Sequence, residues 1–133
     1  MFMLDTNICS YIMKMHPVAA LEKFEAAEES HTPLVVSIIV YAELLYGVEK
    51  ASSKRVNSHS LSAFMERLKI LDWDAGAAKE YAKLRHYLTS KGKPIGNMDM
   101  MIAAHALSQR AVLVTNNARH FNPVPKLKTI NWV

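Results

Sequence analysis

Short apolar runs without polar alternation punctuate the chain, and between them apolar positions recur at helical spacing. Residues 1–4 read as a buried strand and 6–13 as the helix after it. Leu21 and Phe24, with acids on the opposite face, predict a helix over 18–29. Pro33 breaks the chain before a second buried strand at 34–37, where Ser37 is a natural N-cap for a helix from 38 to about 50. The polar stretch 51–58 reads as a loop or a fraying helix end, and Leu61, Phe64, Met65 and Leu68 give the next helix its apolar face. A short strand at 70–73 precedes Asp74, which caps a helix to Ser90 with Ala77, Ala78, Tyr81, Leu84, Tyr87 and Leu88 inward. After a Gly/Pro loop at 91–96 come a helix over 98–109, a strand at 111–114, a turn near Asn116, a short helical piece to Phe121 and a last strand near Thr129.

Strands that are apolar on both faces and alternate with helices predict an α/β fold, a parallel sheet covered on each side. No repeat, low-complexity tract or linker interrupts the pattern, so residues 1–133 are read as a single domain. Ligands of such folds gather outside the carboxyl ends of the strands. Asp5 and Thr115 lie just past two strand ends, on that edge.

Three carboxylates stand out against the apolar pattern. With histidine counted as neutral, Asp5 is the only charge in residues 1–13, Glu43 the only one in 33–48, and Asp99 the only one in 94–108. Each has an ordinary role open to it. Asp5 suits an N-cap, and Asp99 favours the dipole at the start of its helix. Glu43 lies mid-helix on a packed face, where capping fails and a buried basic partner would be needed. The other reading joins all three: buried carboxylates are costly unless paired or bound to metal, so a shared cation is suggested. Magnesium and manganese prefer oxygen ligands, generate a reactive hydroxide and stabilise charge developing on a phosphate. Asn7, Thr115, Asn116 and Asn117 add neutral polar groups, with Asn116 read as a turn former.

Composition narrows the field. The single cysteine, Cys9, precludes an internal disulfide and suits a reducing cytoplasm. No signal peptide or membrane span is expected. Cys9 alone and six histidines without helical pairing argue against zinc, and the loop at 92–96 lacks the ending of a phosphate-binding loop. The net charge of +4 lies wholly after Asp99, where Arg110, Arg119, Lys126 and Lys128 meet no acid. That tail is compatible with an anionic partner such as nucleic acid.

Four motifs in order now carry a resemblance. Leu4-Asp5-Thr6-Asn7, Tyr41-Ala42-Glu43-Leu44 with Gly47, Pro94-Ile95-Gly96 leading to Asp99, and Val114-Thr115-Asn116-Asn117 with Phe121 resemble the motifs of PIN-domain ribonucleases. Their order and full-length coverage are most similar to the VapC toxins of bacterial type II toxin–antitoxin pairs. The resemblance implies a PIN-like three-layer α/β/α fold with a central parallel sheet flanked by helices. It implies a Mg2+- or Mn2+-dependent endoribonuclease acting on tRNA or another structured RNA. Asp5 and Asp99 become the main metal ligands, and Glu43 completes the metal shell directly or through water. Asn7, Thr115 and Asn117 reach metal-bound water or phosphate. The implied partners are an RNA substrate, a VapB-like antitoxin and a second copy of the chain in a homodimer, all cytoplasmic, with no membrane.

The chain departs from this family in one respect. Many relatives have a fourth acid where this chain has Asn117 or, just before Phe121, His120. His120 is either an exposed turn residue or a group that donates to phosphate or transfers a proton. Two other readings remain open: a degenerate PIN domain that binds RNA or protein without cutting, and a haloacid-dehalogenase-like phosphatase. The phosphatase needs a second aspartate where Asn7 stands.

Overall fold

The computed structural model describes all 133 residues, Met1 to Val133. Strands β1 (Phe2–Leu4), β2 (Leu34–Ser37), β3 (Lys69–Leu71), β4 (Val112–Val114) and β5 (Thr129–Ile130) form one sheet in the order β3-β2-β1-β4-β5. Every pairing is parallel. Parallel neighbours need crossovers, and helices supply them: α1 (Thr6–Lys14) and α2 (Val18–Glu29), α3 (Ile38–Glu49) and α4 (Lys54–Met65), α5 (Ala75–Ser90) and α6 (Asn97–Gln109), then α7 (Ala118–Phe121). All four residues of β2 are buried, as a strand covered on both faces requires. The fold is the expected three-layer α/β/α arrangement.

Strand order reverses between β1 and β4. The chain runs from β1 outward to β2 and β3, then returns to place β4 on the other side of β1. Such a reversal opens a crevice at the carboxyl edge. Leu4 pairs with Val114, and the Asp5 N–H donates to the Val114 carbonyl at 3.0 Å. Asp5 and Thr115 therefore leave the sheet side by side.

The core explains where element boundaries moved from expectation. The stretch read as a loop or fraying end becomes helical from Lys54, because Leu61 and Phe64 bury its later turns and the Asn57 amide donates to the Ser53 carbonyl at 2.8 Å. On α5 the inward stripe is narrower than predicted: Ala77, Leu84 and Leu88 are buried, whereas Ala78 and Tyr87 are exposed. Strand β3 ends at Leu71 rather than Trp73, whose indole N–H donates to the Met101 carbonyl on α6 at 3.0 Å. No helix is long and apolar enough to cross a membrane.

One buried polar contact ties α3, which follows β2, to α6, which precedes β4. Ser37 caps α3 by accepting from the Ile39 N–H at 3.1 Å. Its hydroxyl meets His105 Nδ1 on α6 at 2.7 Å, 68 positions along the chain. Both residues are fully buried, and Nε2 of the ring has no hydrogen-bond partner. Burial pushes the His105 pKa below its ordinary value, against the opposing pull of the Asp74 carboxylate and the Asp72 backbone carbonyl. A histidine held neutral stabilises the fold above its unfolded pKa, and that contribution is lost as pH falls through the lower folded value. Ser37→Ala should cost about 1 kcal/mol and His105→Ala about 2–4 kcal/mol in urea unfolding. The wild-type midpoint should drop more steeply below about pH 6.5 than that of His105→Gln. Equal pH slopes would show that burial does not lower the His105 pKa in the native protein.

Candidate active site

The local sequence places each isolated carboxylate by a different device. Asp5 ends β1 and caps α1, its Oδ1 accepting from the Ile8 N–H at 3.0 Å. The capping role is thus real, and it occupies only one oxygen. Glu43 projects from α3, which starts directly at the carboxyl end of β2, and its Oε1 accepts from the Thr6 hydroxyl at 2.8 Å. Asp99 lies in the first turn of α6, and its Oδ2 is 2.9 Å from His120 Nε2. Thr115 is fully buried beyond β4 and its Oγ1 accepts from the Asn117 N–H at 3.0 Å.

Electrostatics join the three acids. Burial raises the Asp5 pKa above the usual aspartate value, and the negative charges of Asp99 and Glu43 raise it further. Hydrogen bonds from Thr115 and Ile8 act the other way. No lysine or arginine pairs with any of the three, since Lys54 and Arg67 pair with Glu49 and Glu28 elsewhere. The donor set is three carboxylates facing one another without a fixed cation, which fits a hard divalent ion in its chemistry. The site is not closed on one: no three acid, histidine or cysteine side chains stand at metal-binding separation. Glu43 and Asp99 are instead turned to Thr6 and His120.

The neutral residues divide. Asn7 Nδ2 reaches Asn116 Oδ1 at 3.5 Å, and Asn116 donates to the Tyr11 hydroxyl at 2.9 Å, so Asn116 braces the β4 end against α1. Its turn-forming composition concealed that role. Asn117 is exposed, with its side chain free of protein hydrogen bonds. Thr6 was missed in sequence reasoning because its partner Glu43 lies 37 positions away. Lys91 and Lys93 are exposed in the loop before Asp99, and Arg85 stacks over Tyr81 while donating to its hydroxyl at 3.1 Å. The Tyr81 hydroxyl in turn donates to Asn97 Oδ1 at 2.5 Å.

A groove of about 810 Å³ opens from this edge between α1, α3 and α4. Thr6 and Glu43 lie on it with Met13, Leu44, Tyr46 and Met98, and Lys14 and Lys50 add positive charge. Tyr46 and Met98 are exposed large apolar side chains.

Comparison with known proteins agrees with this architecture. The PIN domain model matches residues 2–127. The chain belongs to the PIN-domain family, in its VapC branch. Ribonuclease VapC2 of Rickettsia felis is 43% identical over 131 residues, covering 98% of this chain and 97% of the relative. The tRNA(fMet)-specific endonuclease VapC of Shigella flexneri is 38% identical over the same shares. Among solved structures, VapBC2 from Rickettsia felis bound to a promoter DNA fragment matches with a TM-score of 0.93 and 41% identity, over 99% of this chain and 98% of that one. DNA-bound VapBC from Salmonella typhimurium matches at 0.92 and 38%, with the same coverage.

Because the folded protein holds the Asp5 proton more tightly than the unfolded chain, stability falls as pH rises from the ordinary aspartate range through the raised value. Asp5→Asn retains a capping side chain and removes the charge. It should raise Tm at pH 7 by roughly 2–5 °C, with the gain fading below about pH 4. Thermal unfolding across pH checks this; a lower Tm for the variant at pH 7 would refute mutual repulsion at the site.

Proposed function

We propose that this chain is a metal-dependent endoribonuclease and the toxin of a type II toxin–antitoxin pair, acting in the cytoplasm as a single PIN domain. The observation that carries the reading is the mutual electrostatic coupling of Asp5, Glu43 and Asp99 at the β1/β4 crevice with no lysine or arginine paired to any of them. Asp5, Asp99 and Glu43 hold Mg2+ or Mn2+. The ion, when bound, supplies a nucleophilic hydroxide from water and offsets charge on the scissile phosphate. The residues of the chain do the rest. Thr115 holds Asp5 in place, Thr6 orients Glu43, and Asn7 and Asn117 present amides to water or phosphate. His120 orients Asp99 and lies within reach of the same crevice. Lys91 and Lys93 offset the repulsion between RNA and an acidic centre.

A tRNA or another structured RNA is the proposed substrate, in keeping with the name of the Shigella flexneri relative. The proposed partner is a VapB-like antitoxin, as in the VapBC complexes that this chain resembles, assembling on a homodimer of the toxin. The groove beside Glu43 suits a partner segment with apolar and acidic side chains, since apolar walls and Lys14 and Lys50 line it. A segment seated there would reach the site and block it.

Purified protein with Mg2+ or Mn2+ should cleave tRNA, and a chelator should abolish cleavage. Asp5→Asn and Asp99→Asn should each lower the rate at least about a hundredfold. Equal cleavage by Asp5→Asn would sink the assignment. No cleavage by the native chain would favour an RNA- or protein-binding module, and metal-dependent turnover of small phosphoesters alone would favour a phosphatase. Expression without the antitoxin should arrest growth, and Asp99→Asn should relieve the arrest.

A further inference from the structure

Between Tyr81 and Met98 the chain carries Lys83, Arg85, Lys91 and Lys93 and no acid, and all of these cations are exposed. The stretch runs from the middle of α5 through the following loop into α6, and so leads directly to Asp99. One of its cations is held in place. The Trp73 indole N–H donates to the Met101 carbonyl at 3.0 Å, and the Tyr81 ring packs edge-on against Trp73 with centroids 5.8 Å apart. The Tyr81 hydroxyl donates to Oδ1 of Asn97, which lies in the same first turn of α6 as Asp99. Arg85, one turn further along α5, donates from Nη1 to that hydroxyl at 3.1 Å and lies over the Tyr81 ring, 6.0 Å from its centroid.

Arg85 meets no carboxylate; the ion pairs of the protein involve Lys54, Arg67 and His120. Its anchor is a neutral hydroxyl, so its charge stays uncompensated and most of its planar fork of N–H donors is unengaged. Such a fork binds a phosphate through two N–H groups at once. We propose that Arg85, held by Tyr81 and Asn97, grips a backbone phosphate of the RNA beside the one cut at the acid site. The bracket passes through Asn97 into the turn that carries Asp99, so α6 and not a flexible loop sets the spacing between grip and acids. Lys91 and Lys93 lie in the loop itself and attract RNA without fixing its register. RNA must then be the substrate, as proposed above; the grip itself needs no metal.

The test is binding of fluorescently labelled bulk tRNA to the full-length chain across salt concentration, with a chelator present so that nothing is cut. Losing one phosphate contact flattens the plot of log K against log salt by about 0.7–0.9. Arg85→Gln should flatten it by that amount and weaken binding about tenfold. Arg85→Lys keeps the charge and should keep the wild-type slope. Tyr81→Phe also keeps the charge, and without the anchoring hydroxyl it should bind about fivefold more weakly at an unchanged slope. Arg110→Gln removes the same charge at the far end of α6, roughly 20 Å from Asn97, and should leave the slope unaltered. A wild-type slope in Arg85→Gln would overturn the inference, as would equal flattening in Arg110→Gln, which would reduce the effect to net charge. Wild-type affinity in Tyr81→Phe would overturn the bracket. With the tRNA slope unchanged, weaker binding of a poly-glutamate peptide by Arg85→Gln would assign the guanidinium to an acidic protein segment instead. A wild-type chain that binds no tRNA would overturn the ribonuclease reading itself, a result distinct from an unchanged slope.

Discussion

Like charges held close together in a partly buried place repel, and something must hold them there. In this protein the holding is done by the pairing of β1 with β4. The Asp5 N–H is tied to the Val114 carbonyl, so the Asp5 side chain must leave the sheet beside Thr115 at the point where strand order reverses. There burial, and to a lesser degree Asp99 and Glu43, raise its proton affinity, and only Thr115 and Ile8 lower it. The cost of this arrangement is borne by the apolar sheet beneath it, where Met3, Leu4, Leu113 and Val114 are fully buried. Backbone strain and repulsion at functional sites are tolerated when the surrounding structure over-determines them.

The helices are subordinate to the same constraint. Helix α3 begins without a loop after β2, so the Ser37 cap sets its direction and hence where Glu43 arrives. Helix α6 is bound to that cap through His105, and it delivers Asp99 in its first turn. Two acids from distant parts of the chain are therefore set relative to each other through one buried hydroxyl–imidazole contact. The groove beside Glu43 shares its walls with α1 and α3, so it opens at the same edge as the three acids.

Much of this was legible in the sequence, and the misses have physical causes. Apolar runs at 34–37 and 111–114 announced buried parallel strands, because such strands carry no polar face. Ser37 and Asp74 announced their caps, which are local hydrogen bonds over two or three residues. The start of α4 was missed because its first turns are polar and exposed, and helical only by virtue of Leu61 and Phe64 further on. Ala78 and Tyr87 were placed inward because spacing defines a stripe but not its width; that depends on how closely α6 packs.

The types of element, the parallel α/β class and the identity of the isolated acids can all be read along the chain. Each of these follows from local periodicity, or from a charge standing alone among apolar neighbours. Which donor each acid meets is a matter of tertiary packing. Thr6 reaches Glu43 across 37 positions, His120 reaches Asp99 across 21, and Asn116 reaches Tyr11 across 105. Such partners are chosen by strand order and helix packing, which bring together residues whose local sequences carry no trace of one another.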